Sequence, residues 1–333
     1  MPRRNAYYQG PVSDHFDGAR FFVLPGPRRR PLSAHLSFVR GQIARGRPPA
    51  LRPVAPDVPP ARVDALRLGF IGHSSLLVQV AGLNLLIDPV FAQWLGPREG
   101  MGPKRAHAPG IRWEDLPPID AVLVTHNHWD HLDGPALARL WRRFGCRMLT
   151  PLGNDTIIRG YDAGIAVQAM DWGQSVRLSH RVTAHLEPAF HWSGRTPFDR
   201  WRALWGSWVV TDANGGVLYH VGDTAYRDGR FFRRVREVYG PPDVALIPIG
   251  AYEPRWYVGD EHVDPGEAVR IMLDCGARQA FGHHWGAFRL TWEELGDPPR
   301  DLARALAEAG VAPGRFRPLH PGETVEPPWP GGR

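Results

Sequence analysis

The chain has 333 residues, 43% hydrophobic and 22% charged, and its 37 Gly and 34 Pro fall without a period. It can therefore bury a full core, and a disordered, collagen-like or low-complexity protein is excluded. The formal charge of +6 is almost wholly arginine, Lys104 being the single lysine, and Arg28-Arg29-Arg30 and Phe231-Phe232-Arg233-Arg234-Val235-Arg236 are its densest stretches. Such a balance raises a nucleic-acid or anionic-membrane partner, set against an ordinary solvated arginine surface. No apolar run approaches the roughly 18 residues that cross a bilayer. Met1-Pro2-Arg3-Arg4-Asn5 leads into no apolar stretch of signal-peptide length, so a soluble, cytoplasmic protein is expected. Cys146 and Cys275 have no neighbouring cysteine of metal-site spacing and are expected to be reduced and buried.

Residues 1–63 read as an N-terminal extension that packs on a domain formed by residues 64–333. One short helix is predicted over Leu32–Ala44, before a Pro-rich stretch from Pro48 to Pro60. From Leu66 the pattern changes. Leu66–Ile71, Ser75–Val80 and Leu83–Asp88 read as three strands of an antiparallel meander, parted at Gly72 and at Ala81-Gly82. Ala121-Val122-Leu123-Val124 suits a strand buried on both faces, and it runs straight into Thr125-His126-Asn127-His128-Trp129-Asp130-His131. Asp133 or Gly134 then caps a helix with Pro135 in its first turn and Leu137, Leu140, Trp141 and Phe144 at helical spacing. Two later strands, Val217–Val221 and Val244–Ile249, likewise deliver Gly222-Asp223-Thr224 and Gly250-Ala251-Tyr252. Asp264-Pro265-Gly266-Glu267 reads as a capping box whose helix stops at Gly276, and Gln279–Phe281 leads to Gly282-His283-His284-Trp285-Gly286. Strands and helices interspersed in both halves predict an α+β fold of two sheets packed face to face with helices outside.

His126, His128, Asp130 and His131 place four metal-ligand side chains within six residues, on a loop where a strand has just ended. Imidazole and carboxylate are donors that zinc accepts, and a catalytic site keeps one position open for a water whose pKa the metal lowers to about 7. His126 and His128, two apart, point the same way from extended backbone. Asp130 and His131 begin the turn into the helix and face a second position, so the loop is laid out for two metals.

The motif His-x-His-x-Asp-His after a strand resembles the metallo-β-lactamase superfamily, which implies an αββα sandwich with a dinuclear site at the loop ends of its two mixed sheets. More narrowly, the chain is similar to the branch of N-acyl-phosphatidylethanolamine-hydrolysing phospholipase D and its bacterial relatives. The stretches that carry this likeness are Gly72-His73-Ser74-Ser75, Asp88-Pro89-Val90-Phe91, Thr125 to Asp133, His191-Trp192-Ser193-Gly194-Arg195, Leu204-Trp205-Gly206-Ser207-Trp208, Gly222-Asp223-Thr224, Pro248 to Trp256 and His284-Trp285-Gly286. The resemblance implies that His126, His128 and His191 hold one zinc, that Asp130, His131 and His284 hold the other, and that Asp223 bridges them. Manganese or iron are alternatives at such N/O sites. It also implies attack of a metal-bridging hydroxide on a phosphodiester, with Asp130 and Asp223 in catalytic positions. His185 competes with His191, and His283 with His284; the ones preceding Trp are preferred.

Tyr252, Arg255 and Trp256 follow a strand end near the site and are candidate substrate contacts, Arg255 as a phosphate clamp, while His262 is a candidate proton donor. His73 is expected to be structural, under the metal loop. His220 departs from the pattern, standing where an apolar residue is expected before Gly222-Asp223. The expected substrate is a phospholipid or other small molecule; a lactonase or carboxylic-ester hydrolase is the alternative, because a bridged hydroxide also attacks carbonyl carbon. A metal-stabilised nucleic-acid or membrane-binding protein is the reading from another class. It is disfavoured as a main function because a closed structural zinc site does not need seven ligands with a bridging carboxylate, but peripheral contact with an anionic membrane is compatible with hydrolysis.

Overall fold

The change of pattern at Leu66 is where the first sheet begins. In the computed structural model, which describes residues 5–26, 30–46 and 55–331, β1 (Arg67–Gly72), β2 (Ser75–Val80) and β3 (Leu83–Ile87) form the expected antiparallel meander. β4 (Ala121–Leu123), β5 (Arg147–Pro151) and β6 (Val167–Met170) extend it in parallel beyond β3. Every residue of β1, β2 and β4 is buried. Both faces of the sheet are covered, which is why these strands are written as apolar runs rather than as alternation.

The second sheet is built outward from an antiparallel set: β7 (Ser175–Arg177), β8 (Val182–Glu187), β9 (Ser207–Asp212) and β10 (Val217–His220). It continues in parallel through β11 (Val244–Pro248), β12 (Gln279–His283) and β13 (Phe316–Pro318). The chain then returns to the first sheet, where β14 (Thr324–Val325) pairs with β1, giving two seven-stranded sheets.

Strand alternation divides the core into three layers. Phe70, Leu76, Val78, Leu85 and Leu123 of one sheet meet Ala184, Trp208, Val210, Leu218, Leu246 and Phe281 of the other. On the outer face of the first sheet, Leu77, Leu86, Val122 and Met148 pack on α2 (Gly134–Phe144) and α3 (Asn154–Arg159). On the outer face of the second, Val209, Tyr219, Ala245 and Ile247 pack on α4 (Arg230–Tyr239), α6 (Pro265–Cys275) and α7 (Asp297–Glu308). This is the expected αββα sandwich.

Local signals account for the helix ends. The Asp133 side chain accepts from Ala136 N at the start of α2, and Gly145 closes it in a left-handed conformation. Asp264 and Glu267 make a reciprocal capping box at α6, which ends at left-handed Gly276. A single-turn helix, α5 (Arg255–Val258), precedes it. Cys146 and Cys275 are free and buried.

Within the N-terminal extension, Phe16 and Phe21 are buried against Ala189, Phe190, Leu204 and Trp205, and Asn5 Nδ2 donates to the Arg202 carbonyl at 2.8 Å. The helix expected at Leu32–Ala44 is present with those bounds as α1. No helix among the described residues is long and apolar enough to cross a membrane. Part of the Pro-rich stretch and part of the Arg28–Arg30 run lie outside the described residues.

Candidate metal centre

The ends of β4, β10 and β12, the segment after β8 and the β1–β2 turn all reach the same edge of the sandwich. They deliver Thr125–His131, Asp223, His284, His191 and His73 respectively, the placement of a site at the carboxyl ends of strands. The backbone there is tight. His73, Asp88 and His284 adopt left-handed φ of 59°, 42° and 62° without being glycine; such conformations cost energy and persist where packing dictates them. A Cβ on Gly250 would stand 2.1 Å from the carbonyl oxygen of His284, so the β11 loop must carry glycine to let the His284 loop approach.

Two donor groups converge on one carboxylate. In the first, His128 Nδ1 lies 2.9 Å from His126 Nε2 and 3.3 Å from His191 Nε2. Asp223 Oδ2 lies 3.9 Å from His126 Nε2 and 3.7 Å from His191 Nε2. In the second, Asp130 Oδ2 is 3.6 Å from His131 Nε2 and 3.4 Å from His284 Nε2, and the same Asp223 Oδ2 is 3.2 and 3.1 Å from those two nitrogens. Nevertheless both Asp223 oxygens and the Nε2 atoms of His131 and His284 are buried with no hydrogen-bond partner. Buried polar atoms are rarely left so. Cations placed among these nitrogens and oxygens satisfy all of them at once, and an all-N/O donor set suits zinc, manganese or iron.

The surroundings hold the ligands in place. His131 Nδ1 donates to Asp88 Oδ2 at 2.6 Å, and Asp88 also accepts from Thr125 N and Thr125 Oγ1. His191 Nδ1 donates to the Glu261 carbonyl at 2.9 Å, while the Glu261 carboxylate is paired with Arg30 and Arg200. Such partners fix the tautomer and aim of a ligating imidazole. His73 Nε2 lies 2.8 Å from Asp130 Oδ2, within a buried cluster of His73, Asp130, His131 and His284. His73 is thus part of the site's polar framework rather than merely a packing residue, and Asp88 joins it as a positioning residue. The one sequence signal for both was their position in Gly72-His73-Ser74-Ser75 and Asp88-Pro89-Val90-Phe91.

The remaining candidates divide. His262 sits at the mouth, its side chain 16% exposed and its Nδ1 3.8 Å from Asp223 Oδ2. Tyr252 and Arg255 are not presented to the site: the Tyr252 hydroxyl donates to Asp301 at 2.5 Å. Arg255 is spent on the Glu267 carboxylate at 2.6 Å and the His262 carbonyl at 2.8 Å. The capping box of α6 competes successfully for that guanidinium. Trp256 is 55% exposed beside Tyr257 and Trp292. His185 stands away on β8, bonded to Thr211 Oγ1. His283 stacks on His220 at 4.7 Å, both fully buried, so the unexpected histidine of β10 has a histidine neighbour on β12 behind the site.

Electrostatics separate these imidazoles. Burial pushes His73, His128, His191 and His262 down to about 3, and His220 to about 4. His284 moves the other way, up to about 9, and His131 also rises; burial opposes this in both, but Asp223 and Asp130 override it. Between about 3 and 6.5 the unfolded chain binds protons that the folded chain refuses, so stability drops as pH falls through that window. Between 6.5 and about 9 the folded chain binds more, through His284 and His131, so stability drops as pH rises. The metal-free protein is expected to melt highest near pH 6.5 and to lose about 5 °C or more on going to pH 5. Thermal unfolding after chelation, scanned across pH, checks this; a Tm flat from pH 5 to 8 contradicts it.

Residues 83–285 match the profile described as the beta-lactamase superfamily domain. The chain belongs to the metallo-β-lactamase superfamily. It is 35% identical over 248 residues to N-acyl-phosphatidylethanolamine-hydrolyzing phospholipase D 1 of Caenorhabditis elegans, covering 72% of this chain and 69% of that one. It is also 36% identical over 294 residues to an uncharacterized protein of Mycobacterium tuberculosis, covering 84% and 76% respectively. Among solved structures, an isothiocyanate hydrolase from Delia radicum gut bacteria superposes with a TM-score of 0.62 at 19% identity, over 78% of this chain and 98% of that one. That likeness is one of fold. With the superfamily's domain, such relatives and a histidine–aspartate cluster suited to metal, the chain is a metal-dependent hydrolase of the metallo-β-lactamase fold.

Proposed function

We propose that this metallo-β-lactamase-fold protein is a dinuclear, zinc-dependent phosphodiesterase of the phospholipase D type, acting on a phospholipid of the N-acyl-phosphatidylethanolamine class in the cytoplasm or at a membrane face. The observation that carries the dinuclear part is the Asp223 carboxylate, whose Oδ2 faces two histidine-rich donor groups at 3.1–3.9 Å. The likeness to the Caenorhabditis elegans phospholipase supports the choice of a phosphodiester over a carbonyl substrate.

Two bound divalent cations supply Lewis acidity and lower the pKa of water to about 7. The chain's own residues do the rest. His126, His128 and His191 hold one position, Asp130, His131 and His284 the other, and Asp223 faces both. His73 holds the Asp130 carboxylate in one orientation through its Nε2 contact. His262, the solvent-facing imidazole, is neutral at rest because burial holds its pKa down to about 3. It is therefore not a standing acid at neutral pH; the proton it would hand to the leaving oxygen is the one given up by the attacking water.

The zinc-loaded protein should hydrolyse bis(p-nitrophenyl) phosphate and N-acyl-phosphatidylethanolamine, releasing phosphatidic acid from the latter, and should lose both activities on chelation. Turnover of lactones or p-nitrophenyl acetate with none of either phosphodiester would replace this reading by an ester hydrolase. Phosphodiester turnover that survives rigorous metal removal would end the metal-dependent reading altogether.

A further inference from the structure

The net positive charge of this chain is not spread evenly over it. Between Asp17 and Asp57 there is no Asp or Glu, and eight arginines: Arg20, Arg28, Arg29, Arg30, Arg40, Arg45, Arg47 and Arg52. Of 40 basic and 34 acidic residues in all, 32 basic and 34 acidic lie elsewhere, so without this segment the formal balance is −2. The whole positive excess belongs to the stretch that contains α1.

α1 presents two unlike faces. One is tied to the catalytic domain: Phe38 stacks on Tyr257 at 4.2 Å, Gln42 Nε2 donates to the Leu290 carbonyl at 2.6 Å, and Gly41 lies so close to Trp292 that a Cβ would overlap its ring. The other carries Leu32, Leu36, Val39 and Ile43, spaced four, three and four apart, which places them on one stripe of a helix. These side chains are 73%, 60%, 41% and 75% exposed, and no residue of the helix is buried. Arg40 is exposed on the flank of that stripe. Trp256, 55% exposed, packs edge-on to Trp292, the residue beneath α1, and so stands near the same surface.

We propose that α1 is a membrane-contact helix, its Leu32–Leu36–Val39–Ile43 stripe lying in the interface of an anionic phospholipid bilayer and Arg40 on its flank meeting the headgroups. A helix with an apolar stripe, an exposed arginine on its flank and no acid suits a bilayer interface, and an arginine near an anionic leaflet adds attraction. A nucleic acid would use the arginines but leave four apolar side chains facing phosphate; a lipid surface uses both. The inference rests on this surface and not on the reaction, so it stands or falls separately from the phosphodiesterase reading.

The test is co-sedimentation of the full-length, metal-loaded protein with vesicles of phosphatidylcholine, with and without phosphatidylglycerol. Wild type should sediment with the anionic vesicles in a salt-sensitive manner. The double variant Leu36→Glu, Ile43→Glu should bind about tenfold or more weakly, while keeping the wild-type metal content and melting temperature. Leu273→Glu, which changes an exposed leucine on α6, should bind as wild type does. Absence of vesicle binding by wild type, or equal binding by the double variant, overturns the proposal. So does a dimer in light scattering that the double variant converts to monomer without any vesicle binding, since a second copy then covers the stripe. Salt-sensitive DNA binding that survives the double substitution, with no vesicle binding, assigns the arginines to nucleic acid instead.

Discussion

Asp223→Ala is expected to lose metal and turnover together: metal content should fall from near two ions per chain, and phosphodiester hydrolysis should drop on the order of a thousandfold or more. The reason is geometric. Among the described residues, Asp223 Oδ2 is the one carboxylate oxygen within 4 Å of imidazoles of both donor groups, at 3.9 and 3.7 Å from His126 and His191 and 3.2 and 3.1 Å from His131 and His284. Alanine leaves His126, His128 and His191 as a three-nitrogen set without a carboxylate, and the second position with Asp130 alone to balance a dication. Elemental analysis and turnover of bis(p-nitrophenyl) phosphate by wild type and variant, side by side, provide the check. A variant that keeps two metals and near-normal turnover would mean that Asp223 is not the link between the two positions.

Asp88→Asn is the second large effect, and it touches no metal directly. The Asp88 carboxylate accepts from His131 Nδ1, from Thr125 N and from Thr125 Oγ1, and it is completely buried. An asparagine has one acceptor oxygen and an NH2 that must face at least one of those donors. Either His131 loses the partner that aims its Nε2 at the site, or Thr125 N–H at the head of the metal loop is left unpaired. Loss of a ligand's positioning partner typically costs 10–100-fold in metal affinity or activity, and an orphaned buried donor costs about 1–3 kcal/mol. The expected result is a weaker second metal position, read by competition with a chromophoric chelator, with the first nearly unchanged. Equal weakening of both positions would point to collapse of the whole loop, and no change at all would show that Asp88 serves folding alone.

Much of this was legible in the residues. The meander of Leu66–Asp88, the buried strand at Ala121–Val124, the capping box at Asp264–Glu267 and the helix at Leu32–Ala44 are local events, set by side-chain periodicity and by caps that act within four residues. The ligand loop is local too: His126, His128, Asp130 and His131 lie so close in sequence that the loop alone announces a metal. Asp223 and His284 were reachable because each follows a strand and a glycine, and the family pattern supplied the choice of His191 over His185.

Tertiary structure decided what depends on which strands become neighbours. His185 and His191 are both plausible donors until β8 is paired with β9, which turns His185 toward Thr211. His73 reaches Asp130 only because the β1–β2 turn is brought beneath a loop some 57 residues further on. Arg255 looked free for phosphate until the α6 cap placed Glu267 against it. His220 and His283 acquire meaning only as a stacked pair from β10 and β12, the two strands that flank β11. The chain by itself determined the elements, the ligand loop and the location of the net positive excess in residues 18–56, because propensity, capping and charge are properties of neighbours in sequence. Pairing register and layer packing decided which titratable groups share a buried space, because hydrogen bonds and desolvation act over a few ångströms in space however far apart the residues lie along the chain.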